Sequence, residues 1–130
     1  MSRFLGHFNG VAYLAMRVVM AFLYWSHGMV WIFGAFGGAP IPVGPLQQAA
    51  GIIELTCGTL IALGLLTSWA AFIASGEMAV AYFLVHFPQS RMPIQNRGEI
   101  TVALCFAFLY IATQGGGTFS VDRLMGKRGK

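Results

Sequence analysis

Along the chain, long apolar stretches alternate with short segments rich in Gly, Pro and basic residues. Four such stretches occupy residues 11–36, 46–66, 69–87 and 100–113. An α-helix rises about 1.5 Å per residue, so roughly 20 residues cross a hydrocarbon core, and the first three stretches qualify outright. The fourth reaches that length if its helix begins near Ile94 and runs to the Gly115-Gly116-Gly117 stop, or if the bilayer thins around it. The pattern predicts helices over about 10–36, 46–66, 69–87 and 95–114 in a single transmembrane domain of residues 1–130. The expected fold class is all-α, an integral membrane four-helix bundle.

The connections support this order. Residues 37–45 are rich in Gly and Pro and read as a loop. Thr67-Ser68 reads as a very tight turn, which makes the second and third helices antiparallel neighbours. Residues 88–98 hold Pro88, Pro93, Arg91 and Arg97 and form the last loop. The first stretch is too long for the apolar region of a signal peptide, contains Arg17 and lacks a small-x-small cleavage site, so it is expected to be a retained helix. No repeat of 20–50 residues is visible.

Composition sharpens the picture. Of 130 residues 57% are hydrophobic and 9% charged, against roughly 25% charged in a soluble domain. A separate catalytic module is not expected in this length. The net charge of +4 does not indicate a nucleic-acid partner, because the basic residues form neither an aromatic-interleaved stripe nor a recognition helix. They follow membrane topology instead. With an even number of helices both termini share one side, with Arg3, Arg123, Lys127, Arg128 and Lys130 facing Arg91 and Arg97 opposite, so both termini are expected in the cytoplasm. Cys57 and Cys105 make no CxxC pattern and read as small apolar residues.

Three of the four acidic residues, Glu54, Glu77 and Glu99, lie within or at the edge of the apolar segments. A charge at the bilayer centre costs on the order of 3 kcal/mol on insertion scales, so each must be paired, neutral or beside water. Arg17, His27 and His86 are their candidate partners. Counting depth at about 1.5 Å per residue places His27, Glu54, His86 and Glu99 toward the outer side. Arg17 falls in the cytoplasmic half and Glu77 near the middle, where a long Arg side chain can reach a carboxylate by snorkelling. An Arg17–Glu77 ion pair is therefore expected to support an outer ligand-binding site of His27, Glu54, His86 and Glu99.

Helical spacing puts Arg17, Met20, Tyr24 and His27 along one side of the first helix. Gln47, Gly51, Glu54 and Gly58 share a face of the second, where glycines permit close backbone approach beside the carboxylate. On the third helix Ser75, Ala79, Tyr82 and His86 share a face, while Glu77 and His86 point apart. A plainer reading makes the polar residues interhelical ion pairs and hydrogen bonds that fix the bundle. Trp25, Trp31 and Trp69 read as interfacial anchors, and His7 as a solvated residue.

Taken together, these residues resemble the DoxX family of small bacterial membrane proteins. The likeness runs from Arg17 to Leu124. It comprises Arg17 and His27-Gly28, then Gly51-Ile-Ile-Glu54-Leu55 followed by Gly64-Leu-Leu-Thr67, Val85-His86, Asn96-Arg-Gly98-Glu99, and a glycine cluster leading into Ser120-Val-Asp122-Arg123-Leu124. Relatives often carry a Lys three positions after the His-Gly glycine, where this chain has Trp31. The resemblance implies a four-helix bundle in the bacterial inner membrane associated with redox chemistry. Some relatives look like subunits of a thiosulfate:quinone oxidoreductase and others accompany oxidative or thiol stress systems. From the same resemblance, Asp122 and Arg123 are expected to cap or anchor the cytoplasmic end.

Two functional readings stand side by side. One is a membrane subunit of a redox complex holding a quinone, with a carboxylate and an imidazole exchanging protons at the headgroup and apolar walls for the tail. The other is a non-catalytic scaffold or assembly factor recruiting membrane or soluble partner proteins. A b-type haem between His27 and His86 ranks behind both. A dithiol oxidoreductase would need paired cysteines near the surface, and an ion or proton channel is a further option.

Overall fold

The computed structural model describes residues 1–38 and 42–126, apart from the side chain of Ser2. Lys127, Arg128 and Lys130, used in the orientation argument, lie outside the described residues. Four long helices dominate: α1 (Asn9–Phe33), α2 (Pro45–Leu63), α3 (Thr67–Ala81, continued by a π-helical turn at Tyr82–His86) and α4 (Glu99–Gln114). No strand occurs among the described residues. In lipid every backbone amide must be bonded within its own segment, which leaves helices as the natural state of such apolar stretches.

The ends of the helices follow local chemistry. Pro45 opens α2 at a position where its missing N–H is no loss. Gly34 closes α1 in the left-handed conformation, so the helix stops at Phe33 rather than running to residue 36; Ala35–Gly37 is a separate 3-10 turn. The second connection is also displaced from the Thr67-Ser68 expectation. The chain turns at Gly64–Leu66, with Gly64 and Leu66 both left-handed (φ 73° and 49°), and Thr67 already belongs to α3.

The fourth span differs most from expectation. A continuous helix from about residue 95 is replaced by a short helix at Pro93–Asn96, a left-handed Arg97 (φ 59°) and then α4. The amide of Gly98 donates to Asn96 Oδ1 at 2.8 Å, which stabilises the break. Sixteen residues of α4 reach about 24 Å, short of the roughly 30 Å core. α1, α2 and α3 are long and apolar enough to cross a membrane.

The helices run up, down, up and down. α1 packs chiefly on α2 and α3 on α4, with α2 against α3 joining the two hairpins. The interior holds Ala21, Tyr24, Cys57, Ile61, Ala70, Ala71, Ala74, Met78, Leu104, Phe108 and Ile111, while Phe22, Ile52, Phe72, Val80, Phe83 and Phe106 point outward. Large apolar groups outside, with alanines mixed among the interior residues, suit a bundle in lipid, where helices associate through packing. Gly28 lies so close to α2 that a Cβ there would sit 2.8 Å from Leu55 Cγ and 2.9 Å from Gly51 O. Gly58 is similarly tight against Trp25, with a Cβ contact of 2.9 Å. This close approach of α1 and α2 fixes the position of Glu54 between them.

Candidate functional site: a carboxyl cluster in the middle of the bundle

Glu54 and Glu77 come to one level on the neighbouring helices α2 and α3 because the connection between these helices is so short. Glu54 stands eleven residues before Leu65 and Glu77 eleven after Leu66, so an antiparallel pair brings them to one level. Each lies about 17 Å along its helix from the turn. The two carboxyls interact electrostatically, both act on Tyr24 from α1, and Glu77 also acts on Cys57. Tyr24 is fully buried, donates its hydroxyl hydrogen bond to Glu77 Oε2 at 2.6 Å, and packs edge-on against Phe108 of α4 at 4.9 Å. All four helices therefore contribute to the cluster.

Glu54 is 2% exposed, and its Oε2 has no hydrogen-bond partner among the described residues. Glu77 is half-buried. No basic residue acts on either carboxyl among the described residues. The arrangement thus holds one bonded carboxyl and one uncommitted carboxyl in a dry environment. Chemically, it can hold and transfer a proton.

Arg17 is committed elsewhere, and the expected Arg17–Glu77 ion pair does not form. The Arg17 guanidinium, 1% exposed, donates to the carbonyls of Gly116, Phe119 (2.8 Å) and Ala62 (3.4 Å). Depth explains this. Tyr24, which reaches Glu77, is seven residues beyond Arg17, about 10 Å further along α1. Meanwhile the chain after α4 folds back over the end of the bundle where the termini lie. Unpaired carbonyls at the ends of α2 and α4 carry partial negative charge there, which suits a cation. Tyr13 adds a bond to Gly115 O at 2.6 Å. Gly64 has no room for a side chain, since a Cβ would lie 2.7 Å from Arg17 Nη1.

The opposite end contains His86, but as part of the loop scaffold. Its Nδ1 is 3.0 Å from Asn96 O and its Nε2 3.3 Å from Thr101 Oγ1. Buried Asn96 in turn donates to Ser90 O at 2.7 Å and Tyr82 Oη at 3.2 Å. Glu99 is exposed in the first turn of α4, where a negative charge complements the helix dipole. It borders an open groove of about 580 Å³ lined by Ile94, Arg97, Glu99, Ile100 and Ala103. His27 is exposed on α1. The four residues expected to converge are therefore separated: Glu54 inside, His27 outside, and His86 and Glu99 at the loop end. A haem ligated by His27 and His86 would need both imidazoles free and facing each other, which this arrangement does not provide.

Reading the residues one by one missed Tyr24 as the partner of Glu77, whereas Asp122, expected to cap or anchor the end of the bundle, caps α3. The signals were present. Glu54 and Glu77 are mirror-related about the tight connection, and Tyr24 shares the side of α1 assigned to Arg17.

An uncharacterized protein of Haemophilus influenzae is 34% identical over 120 residues, covering 87% of this chain and 90% of the relative. No solved structure matches the chain. The DoxX family model matches residues 12–87, which include most of α1, all of α2 and α3, and both carboxyls of the cluster. This chain belongs to the DoxX family and is a membrane protein.

Proposed function

We propose that this protein is the membrane subunit of a quinone-linked redox complex, with its polar site at Tyr24, Glu54 and Glu77. The observation that carries this reading is the uncommitted carboxyl of Glu54. Polar groups that serve only as structural glue are normally bonded when buried, as Asn96 and Ser75 are. Glu54 has an oxygen left over. Quinone chemistry moves protons together with electrons, and a carboxyl beside the tyrosine-bonded Glu77 supplies a proton donor or acceptor. Half-buried Glu77 brings the edge of the cluster to the flank of α3, where a lipid-soluble molecule travels. In this reading the membrane is the bacterial inner membrane, with both termini in the cytoplasm as the basic residues direct.

Purification in mild detergent followed by solvent extraction tests the proposal. Co-purifying quinone is expected in the parent and depleted in Glu54→Gln, which preserves shape and hydrogen-bonding capacity. Absence of quinone from the parent under conditions that retain partner subunits would overturn it. A scaffold is the second reading, favoured by the commitment of Arg17 and His86 to the fold's own carbonyls. It wins if Glu54→Gln keeps quinone and turnover but loses partner assembly.

A further inference from the structure

A carboxylate without water, cation or donor is among the least tolerable groups in a dry interior, whereas a carboxylic acid there is merely a polar group. Tyr24 donates a hydrogen bond to Glu77 Oε2 at 2.6 Å, and such a bond supports charge on the accepting oxygen. Glu54 receives no such bond at Oε2. We infer that the cluster is a proton-binding site with one proton resident on Glu54, while Glu77, bonded by Tyr24, carries whatever charge the pair bears.

The surroundings identify the ligand as a proton. Around Glu54, the titratable groups are Tyr24 from α1, Cys57 on its own helix and Glu77 from α3. From α4 the core presents Phe108 and Leu104, and Cys105 faces Ser75, whose hydroxyl donates to the Cys105 carbonyl at 2.8 Å. None of these is cationic. Arg17 is occupied at the termini end and His27 lies outside. A metal ion would require several ligands gathered around one point, and no group of three or more His, Cys, Asp or Glu side chains with that geometry occurs among the described residues. Between two carboxyls at one level in lipid, a single proton removes the mutual repulsion and one of the two desolvated charges.

This inference rests on the cluster's geometry and stands whether or not a quinone is the partner. It assigns the states within the pair: Glu54 holds the proton, and Glu77 is the carboxyl whose charged form the Tyr24 hydroxyl supports.

Infrared spectroscopy of the full-length protein in lipid nanodiscs at neutral pH tests this directly. A protonated carboxyl gives a C=O stretch resolved from the amide band and shifted in D2O. One such band is expected in the parent, lost in Glu54→Gln and retained in Glu77→Gln. Absence of the band in the parent, or its survival in Glu54→Gln, overturns the assignment. If Glu54→Gln does not fold, Glu54→Asp replaces it. A changed band frequency then supports Glu54 as the carrier, and an unchanged one places the proton elsewhere. A positive infrared result with no co-purifying quinone would retain the proton site and discard the quinone reading.

Discussion

Asp122 reaches across the end of the bundle to Thr67, its Oδ2 accepting from the Thr67 amide at 2.9 Å and from the Thr67 hydroxyl at 2.8 Å. Its Oδ1 accepts from the Leu66 amide at 2.9 Å, and its own amide donates to Gly64 O at 2.8 Å. A residue distant in sequence thus caps α3, satisfying amides at the positive end of that helix. Asp122→Ala should lower stability by about 1–2 kcal/mol, the usual range for losing an N-terminal cap. Thermal unfolding in detergent measures it, and a midpoint equal to the parent's would show the contact to be incidental.

Arg17 and Glu77 should behave as independent residues. Replacing Arg17 with Met leaves buried carbonyls unsatisfied and is expected to cost on the order of 3 kcal/mol. Glu77→Gln keeps an acceptor for Tyr24 and should cost about 1 kcal/mol or less. In a double-mutant cycle the two effects should add within about 0.5 kcal/mol. A coupling of about 2 kcal/mol or more would restore the ion pair that depth alone suggested.

Close approach makes the α1–α2 glycines sensitive to a single methyl group. Gly28→Ala and Gly58→Ala force contacts of 2.8 and 2.9 Å and should destabilise by about 1–3 kcal/mol through overpacking. Gly76→Ala is the matched control. It lies mid-helix on α3 with nothing within 4 Å of an added Cβ, so it should be neutral or stabilising by up to about 1 kcal/mol. Equal melting shifts for all three variants would contradict the close packing.

His86 and His27 should separate cleanly under substitution. His86→Ala removes bonds to Asn96 O and Thr101 Oγ1 and should cost about 1–2 kcal/mol. His27→Ala, at an exposed position, should stay within about 0.5 kcal/mol of the parent. The pure protein is expected to show no Soret band. An intense Soret band abolished by both substitutions would reinstate a bis-histidine haem.

Hydropathy made the four helices readable, because lipid demands long uninterrupted apolar runs and penalises everything else. The buried carboxyls were readable for the same reason: a glutamate in such a run announces itself. Their partners were harder. Depth along one helix says how far Arg17 sits from an end, but the carbonyls that hold it come from backbone folded over that end, and backbone acceptors leave no residue-type signature. His86 shows a related ambiguity. An imidazole near a helix end looks the same in sequence whether its nitrogens are free for a ligand or committed to Asn96 and Thr101. Breaks in α1 and α4 depended on left-handed residues, of which Gly34 is a familiar signal and Arg97 is not.

The bonds from Arg17 to Gly116 and Phe119 span 99 and 102 residues of sequence, which ties α1 to the segment that follows α4. During synthesis α1 enters the bilayer with a guanidinium whose main acceptors have not yet been translated. Until residues 116–119 emerge, that charge must stay at the membrane surface or be shielded by insertion machinery. A chain interrupted before Gly116 would keep the defect permanently, with the Arg17 guanidinium left only the Ala62 carbonyl of its three acceptors. The bonds that close this end of the bundle therefore form only after α4 has been made.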